Sequence, residues 1–216
     1  MSQISRFARL ADRLAAHPGQ AFTGEEPARR WAAVAAILRV RKADELELLV
    51  IRRPEKDDDP WSGHMALPGG RRDARDVDLV ATAVRETREE VGLDLLRQGR
   101  VLGALDDLAP RNPALPPVVV RPFVAQLEQD SLVVPNHEVA AYYWIPLSVL
   151  TSPSARTEHV VRIASGPGGN VPTSFVREGV ETDGVHARFP AYAYEGQIIW
   201  GLTERVVRQL LSLLDG

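Results

Sequence analysis

The sequence predicts an α/β domain in which a mixed β-sheet is flanked by helices. Apolar runs of strand length are interspersed with segments of helical periodicity along the 216 residues, and this alternation is typical of an α/β unit. We find no internal repeat and no linker that would separate two hydrophobic cores. The pattern therefore predicts a single domain at residues 29–216, preceded by a helical extension at residues 1–28.

The first half of the chain carries a helix, a hairpin and a second helix. Apolar residues at helical spacing predict an amphipathic helix at residues 3–16. Strands at residues 31–41 and 46–53 flank a polar turn, which favours a β-hairpin. Residues 61–70 predict a short strand that runs into a glycine-rich loop, and residues 79–91 have a strong helical pattern.

The second half predicts further strands and a closing helix. The expected strands lie at residues 100–107, 117–127 and 139–145. Residues 151–185 are rich in Ser, Pro and Gly, which indicates a long excursion with a hairpin formed by residues 158–164 and 172–178. Helical periodicity predicts the closing helix at residues 197–214.

Composition and charge exclude several classes of protein. The net charge of −3 lacks the basic excess of a nucleic-acid-binding surface. The absence of cysteine excludes disulfides, thiolate metal sites and a cysteine nucleophile. No apolar stretch is long enough for a membrane helix, and the N-terminus lacks the apolar core of a signal peptide. We therefore expect a cytoplasmic protein that binds neither membranes nor nucleic acid.

Three glutamates gather at one edge of the predicted helix 79–91. With the first residue of the helix as zero, Glu89, Glu86 and Glu90 fall at roughly 280°, 340° and 20° when each residue turns the helix by about 100°. These positions border the face that carries the apolar residues. The carboxylates are therefore expected beside the buried edge of the helix and not on its far, solvated side.

Such clustering is unfavourable without a cation, because like charges four residues apart repel on a helix. Mg²⁺ or Mn²⁺ accepts carboxylate oxygens and bridges to substrate phosphates, which reverses the sign of the interaction. An acidic run on a helix is more commonly a solvated face. Here the glycine-rich loop before the helix and the expected C-cap at Gly92 after it favour a metal site.

At these positions the chain resembles the Nudix box. Gly70 and the run Arg85-Glu86-x-x-Glu89-Glu90-x-Gly92-Leu93 match that motif. The resemblance implies a Nudix-type α/β/α sandwich with a mixed β-sheet flanked by helices. It also implies an Mg²⁺- or Mn²⁺-dependent pyrophosphohydrolase that cleaves the diphosphate bond of a nucleoside diphosphate derivative.

The resemblance gives roles to individual residues of the motif. It implies that Glu86, Glu89 and Glu90 bind the metal, with the carbonyl group of Gly70 completing the set of ligands. Arg85 is expected to orient Glu89 or the loop. One carboxylate would also be the general base for the attacking water, and Glu89 or Glu86 is the first choice.

Two positions depart from the family pattern. Asp76 stands where the family has Glu, and the gap from Asp76 to Arg85 is one residue longer than in the family. The family's residue supports the loop by pairing with the motif arginine. Asp73 and Asp78 compete with Asp76 for this role, although Asp78 could instead cap the helix. Thr87 replaces an apolar residue.

The longer gap and several other segments resemble the coenzyme A pyrophosphatase branch of these enzymes. The matching segments are Gly63-x-x-x-Leu67-Pro68-Gly69-Gly70, Arg71-Arg72-Asp73, Ala81 to Glu86, Glu138-Val139, Pro146-Leu147-Ser148, Phe189-Pro190-x-Tyr192 and Ile199 to Thr203. The run Leu48 to Arg53 departs from that branch's upstream signature. ADP-ribose and dinucleotides therefore stay open as substrates beside coenzyme A and its thioesters.

Further substrate contacts are expected outside the motif. Arg52 and Arg53 end a strand that points toward the glycine-rich loop, where they could bind phosphates, although plain surface charge would also account for them. His64 is a candidate substrate contact, and Gly69 would let the backbone approach the cation and the phosphates. Glu138 is a loop candidate for the general base.

The remaining predictions concern the tryptophans, a competing function and the oligomeric state. Trp61 lies in a loop and could stack on a base, whereas Trp31, Trp144 and Trp200 are expected in the core. A Nudix-like nucleotide-binding regulatory module without chemistry is the competing function, and the intact carboxylates argue against it. A homodimer through the N-terminal helix or residues 151–185 is compatible with the resemblance.

Overall fold

The structure of the chain is a computed structural model that describes residues 3–23, 30–41, 45–57, 61–110, 117–128, 131–166, 169–172 and 186–215. Within these ranges the helices are α1 (Gln3–Ala16), α2 (Leu79–Val91), α3 (Leu95–Gln98), α4 (Leu147–Thr151) and α5 (Gly201–Asp215). The strands are β1 (Arg30–Val40), β2 (Leu46–Arg52), β3 (Met65–Ala66), β4 (Gly69–Arg71), β5 (Gly99–Ala104), β6 (Val118–Leu127), β7 (Ala141–Pro146), β8 (Arg156–Gly166), β9 (Gly169–Pro172), β10 (His186–Tyr194) and β11 (Gln197–Trp200).

Strand β1 is the centre of the larger sheet. It runs parallel to β6 and antiparallel to β2 and β4, so the sheet is mixed, as the sequence predicts. β2 also pairs with β3 and β7, and β6 pairs with β5. Ala35 and Ile37 on one face of β1, and Ala36 and Leu38 on the other, are fully buried, because this strand is covered on both faces.

Helices cover both faces of this sheet. On one face, Phe7 and Leu10 of α1 pack in a cluster that includes Leu48 of β2 and residues of α5. On the other face, Val91 of α2 packs in a cluster with Ile37 of β1. The predicted α/β/α layering is therefore confirmed. None of the helices described here is long and apolar enough to cross a membrane.

A second sheet has four strands, in the order β11-β10-β8-β9, within the described residues. Tyr192 of β10 and Ile199 of β11 belong to the same core cluster as Met65 of β3. The hydroxyl of Thr203 in α5 donates to the carbonyl oxygen of Met65 at 3.0 Å. The second sheet is thus attached to β3, just before the glycine-rich loop.

The predicted closing helix at residues 197–214 is wrong at its start. Residues 197–200 form β11, and the helix begins only at Gly201. Ile199 pairs with Tyr192 and Ile198 with Ala193 of β10. This pairing overrides the helical periodicity, because β-branched side chains fit an extended, half-buried strand.

The segment between residues 151 and 185 contains a hairpin, formed by β8 and β9. β8 pairs with β9 from Ile163↔Pro172 to Gly166↔Gly169. On its other edge β8 pairs with β10. Residues 173–178, which the sequence assigns to the second strand of the hairpin, lie outside the described residues.

Helix α2 begins and ends where the sequence predicts. Asp78 is the N-cap, and its side chain accepts a hydrogen bond from the N–H of Ala81 at 2.7 Å. Gly92 adopts a left-handed conformation at the C-cap and donates its N–H to the carbonyl oxygen of Arg88 at 3.1 Å. These local contacts fix the length of the helix that carries the acidic residues.

The two buried threonines of α2 have different surroundings. The hydroxyl of Thr82 donates to Oδ2 of Asp76 at 2.9 Å. The hydroxyl of Thr87 is buried with no hydrogen-bond partner among the described residues. Thr87 occupies the place of an apolar family residue, and its burial explains why that position is apolar in the motif.

We expect the substitution Thr87→Val to raise the free energy of unfolding by about 1 kcal/mol, because it removes an unpaired buried hydroxyl. The matched control Thr82→Val should lower it by about 1 kcal/mol, because it removes a hydrogen bond and leaves Asp76 with one donor fewer. Urea unfolding of both variants measures the two effects. If both substitutions changed the free energy of unfolding in the same direction, they would contradict the assignment of an unpaired hydroxyl to Thr87 and a hydrogen-bonded one to Thr82.

Candidate active site

The three glutamates of α2 lie at different depths. Glu90 is 3% exposed, whereas the side chains of Glu86 and Glu89 are 14% and 54% exposed. This order follows the angles expected from the helical spacing, because Glu90 lies nearest to the buried face. The acidic edge formed by these residues therefore runs from the core to the surface.

Glu90 ties the glycine-rich loop to the helix. The N–H of Gly69 donates to Oε2 of Glu90 at 2.8 Å. Gly69 has a φ of +150°, and a Cβ there would lie 2.3 Å from the carbonyl oxygen of Ala33 in β1. The missing side chain of Gly69 thus makes room for β1, whereas sequence reasoning expected it to make room for the substrate.

Gly70 lies directly against the carboxylate of Glu86. A Cβ at Gly70 would lie 2.5 Å from Cδ of Glu86 and 2.6 Å from each of its carboxylate oxygens. Any other residue at this position would push the carboxylate away. Gly70 and Glu86, the first glutamate of the acidic edge, are therefore in contact.

The guanidinium of Arg85 joins the loop to the acidic edge. Nε and Nη2 donate to the two carboxylate oxygens of Asp76, each at 2.9 Å. Nη2 also donates to the carbonyl oxygen of Arg71 at 3.1 Å. Nη1 lies 3.0 Å from Oε1 of Glu86 and 3.0 Å from Oε2 of Glu89. We call this set of contacts the Arg85 clamp.

Asp76, and neither of its two competitors, pairs with the motif arginine. The buried carboxylate of Asp76 also accepts hydrogen bonds from the N–H of Asp73 at 2.9 Å and from Thr82. Asp73 pairs with Arg75 on the surface, and Asp78 caps the helix. The shorter side chain and the extra residue of the gap are therefore compatible with a bidentate pair.

Buried carboxyl groups characterise the inner part of the acidic edge. Burial raises the pKa of Glu90 to about 7; the N–H of Gly69 and the charge of Arg53 lower it, while Glu86 and Glu138 raise it. Burial is also the main cause of the raised pKa of Glu86. Glu138, in the loop before β7, contributes to both shifts and so shares the electrostatic environment of the helix carboxylates.

The acidic edge has the donor chemistry for a hard divalent cation, because Mg²⁺ prefers carboxylate and carbonyl oxygens. In the part of the chain that the structure describes, no three acidic or histidine side chains converge on one point. Glu86 and Glu89 instead share Nη1 of Arg85, and Glu90 accepts the hydrogen bond of the loop. The residues fit such a cation, and the glutamates would turn toward a common point to bind it.

The two arginines at the end of β2 are separated by the structure. Arg53 lies near enough to Glu90 to lower its pKa, and its N–H donates to the carbonyl oxygen of His64 at 3.0 Å. Arg52 forms an ion pair with Glu55 at 3.6 Å. The structure thus brings Arg53, with His64 beside it, to the acidic edge, and leaves Arg52 at the surface with Glu55.

Trp200 brings three other aromatic rings together, including that of His64, and sequence reasoning missed this grouping. The ring of Trp200 in β11 lies 5.1 Å from that of His64, 4.6 Å from that of His159 in β8 and 5.6 Å from that of Phe189 in β10, centroid to centroid. We call these four residues the ring cluster. Trp200, expected in the core, is partly exposed. Distant segments supply the cluster, so no local pattern identifies it.

Comparison with known proteins gives the family. The NUDIX domain matches residues 29–163, which is more than half of the chain. The chain therefore belongs to the NUDIX domain family, and the resemblance stated from the motif is confirmed at this level. The family match does not separate the coenzyme A pyrophosphatase branch from other branches.

Two curated proteins are similar to this chain, and one of them is named as a Nudix hydrolase. "Uncharacterized Nudix hydrolase NudL" of Yersinia pestis (strain Pestoides F) is 30% identical over 150 residues, which cover 69% of this chain and 63% of that protein. "Uncharacterized protein C14C4.10c" of Schizosaccharomyces pombe is 40% identical over 114 residues, or 51% of this chain and 35% of that protein. The chain thus matches less than two thirds of the length of these curated relatives.

A solved structure supports the fold. The MutT/nudix family protein from Enterococcus faecalis superposes with a TM-score of 0.53 at 16% identity, covering 90% of this chain and 65% of that chain. At this identity the likeness concerns the fold alone. It confirms the predicted Nudix-type architecture of a mixed sheet between helices.

The Arg85 clamp predicts a pH-dependent contribution to stability. Hydrogen bonds from Arg85 hold the pKa of Asp76 well below its usual range. The folded state therefore favours the ionised carboxylate of Asp76. The stability that this preference contributes is fully present above the pKa of an unfolded aspartate, which is about 4, and it is lost as the pH falls from there toward the lower pKa of the folded state.

We expect Asp76→Asn to lower the free energy of unfolding by about 3 kcal/mol at pH 7, because it leaves a part-buried guanidinium without its charged partner. The difference from the wild type should narrow as the pH is lowered from 5 toward 3 in urea unfolding. Asp94→Asn, at the short helix α3, is the control, because the carboxylate of Asp94 accepts the N–H of Leu96 and forms no ion pair with an arginine among the described residues. If the difference in the free energy of unfolding between the wild type and Asp76→Asn did not change with pH, the ion pair of Asp76 with Arg85 would be rejected as the cause of that difference.

Proposed function

We propose that this protein is a metal-dependent pyrophosphohydrolase that cleaves the diphosphate bond of a nucleoside diphosphate derivative. The observation that carries the proposal is the Arg85 clamp, which holds the glycine-rich loop against the acidic edge in a chain of the NUDIX domain family. Phosphoryl chemistry needs a compact set of oxygen donors beside a positioned phosphate, and this arrangement supports it.

The acidic edge would hold the cation. Glu86, Glu89, Glu90 and the carbonyl oxygen of Gly70 are the ligands that we propose for Mg²⁺ or Mn²⁺. When bound, the cation supplies charge neutralisation of the diphosphate and activation of a water molecule. Arg85 keeps Glu86 and Glu89 at the loop through its hydrogen bonds, so it acts as a positioning residue.

Two groups next to the acidic edge are proposed to contact the substrate. Arg53 would bind a phosphate oxygen, because its positive charge already acts on Glu90. The loop backbone at Gly69 and Gly70 would lie along the diphosphate. Arg52, paired with Glu55, could join Arg53 only by leaving that exposed ion pair, which costs little.

The general base is proposed among the acidic residues. Glu89 is the most exposed glutamate of the acidic edge and is hydrogen-bonded to Arg85 at 3.0 Å, so it can reach a water molecule at the rim of the site. Glu138 is the competing base, because it is exposed and lies near enough to Glu86 and Glu90 to raise the pKa of both.

Coenzyme A or a thioester of it is the substrate that we propose first. Three segments that resemble the coenzyme A pyrophosphatase branch meet at one place: His64 and Trp200 have ring centroids 5.1 Å apart, Phe189 and Trp200 are 5.6 Å apart, and Thr203 donates to the carbonyl oxygen of Met65 at 3.0 Å. ADP-ribose and dinucleotides are the alternatives. A cytoplasmic location and a homodimer stay predictions from the sequence.

A regulatory module without chemistry is the competing function. It would bind a nucleotide and leave it intact. The buried charge of Glu90 and Glu86 argues against it, because a binding module gains nothing from carboxylates whose burial is unfavourable.

A substrate panel tests the proposed function. With Mn²⁺ present, we expect the wild type to release a monophosphate from at least one of coenzyme A, ADP-ribose, diadenosine polyphosphates and NADH. Glu86→Gln should lower kcat by about 100-fold or more, because loss of a proposed ligand should exceed the roughly 10- to 100-fold effect of losing a group that only supports a ligand. Glu128→Gln, in an exposed ion pair with Arg100, is the matched control. No product from any compound would favour the regulatory module.

The position of the general base is tested by two further variants. Glu89→Gln should lower kcat by about 100- to 10,000-fold, the usual contribution of a general base, when it is assayed at an Mn²⁺ concentration that calorimetry shows to saturate the variant. Glu138→Gln should change kcat much less. Full turnover of Glu89→Gln, together with a loss in Glu138→Gln, would place the base in the loop before β7.

A further inference from the structure

We propose that the ring cluster of His64, His159, Phe189 and Trp200 binds the planar base of the substrate nucleotide, at the far end of the site that holds its diphosphate. The proposal deepens the proposed function and rests on it. It places base recognition mainly on the second sheet, outside the sequence motif.

The ring cluster lies on the face of the second sheet that points away from the shared core. Tyr192 pairs with Ile199, and both are buried in that core. Successive side chains of a strand point to opposite faces, so Trp200 lies on the other face. Phe189 and its cross-strand partner His159 lie on the same face as Trp200. Packing of the core therefore does not account for these rings.

The rings leave surface for a ligand. Their planes are tilted against Trp200 by 60° for His64, 44° for His159 and 51° for Phe189. Each of the four side chains keeps part of its surface exposed. A flat aromatic group can stack on such partly exposed faces, and base–aromatic stacking tolerates different bases because every base has a π-face.

The ring cluster is connected to the acidic edge through the glycine-rich loop. The N–H of Gly69 donates to Oε2 of Glu90 at 2.8 Å. Five residues earlier, the carbonyl oxygen of His64 accepts the N–H of Arg53 at 3.0 Å, and the ring of His64 lies 5.1 Å from that of Trp200. The order along the protein is therefore carboxylates, glycine-rich loop and rings. A nucleotide presents diphosphate, ribose and base in the matching order.

The chemistry of the cluster favours a neutral planar ligand over a charged or flexible one. Burial lowers the pKa of His159, so its ring is mostly neutral at pH 7. The base of a nucleotide is neutral and planar. The other half of a coenzyme A molecule is a flexible chain that presents no aromatic face, so it would gain less from four rings.

Binding of two small ligands tests the proposal without hydrolysis. AMP and ribose 5-phosphate share phosphate and ribose and differ by the base. By isothermal titration calorimetry we expect AMP to bind the wild-type protein about 10- to 100-fold more tightly, the range of one stacked base. Trp200→Ala should remove this advantage and leave the affinity for ribose 5-phosphate unchanged.

Two further variants keep the test decisive if Trp200→Ala does not fold. Phe189→Leu retains apolar volume but removes a ring, and it should weaken AMP binding several-fold at an unchanged Tm. Trp61→Ala tests the loop tryptophan, which the sequence offers as an alternative stacking residue, and on the present proposal it should leave AMP binding unchanged. Equal affinities of the wild type for both ligands, or a loss of AMP binding in Trp61→Ala alone, would overturn the proposal.

The two proposals fail separately. Neither ligand contains a diphosphate, so AMP binding through Trp200 in a protein that hydrolyses nothing would reject the proposed function and retain the base site. Hydrolysis of a nucleoside diphosphate derivative with kinetics unaffected by Phe189→Leu and Trp200→Ala would reject the base site and retain the proposed function. Dependence of 4′-phosphopantetheine binding, and not AMP binding, on Trp200 would also overturn the base site.

Discussion

The pairing of Arg85 with Asp76 is the interaction on which the arrangement of the site depends. Two hydrogen bonds of 2.9 Å fix the plane of the guanidinium, and the remaining donors then reach the carbonyl oxygen of Arg71 on one side and Glu86 and Glu89 on the other. Because a guanidinium presents its donors in a rigid fork, one buried partner determines where the others can be. The loop and the helix consequently meet in a single geometry.

Charge and close packing reinforce one another around this pair. Glu90 and Glu86 carry charge into partly dry surroundings, which raises the pKa of both. The protein tolerates this cost because the N–H of Gly69 bonds Glu90, and because glycine at position 70 leaves space for the carboxylate of Glu86. Carboxylates that stay buried beside a backbone turn are available to a cation without a large rearrangement of the main chain.

We propose different roles for the two sheets. The larger sheet and α2 present the acidic edge and Arg53, which suit a diphosphate of any nucleotide. The second sheet continues beyond residue 163, where the match to the NUDIX domain ends, and it supplies most of the ring cluster. Function is commonly distributed in this way, with shared chemistry on the common fold and specificity on an added element. The link between the two is β3, which precedes the glycine-rich loop.

The amino-acid sequence alone determined the features that depend on neighbouring residues. The caps Asp78 and Gly92 define the two ends of α2, and the spacing of its glutamates sets their order of burial, because both features depend on residues within a few positions of each other. Tertiary structure alone decided that Asp76 pairs with Arg85 while Asp73 does not, that residues 197–200 form a strand, and that Trp200 lies beside His64. Each of these depends on contacts between segments that are distant in sequence, and strand pairing can override a local helical pattern because its stability comes from neighbouring strands and burial.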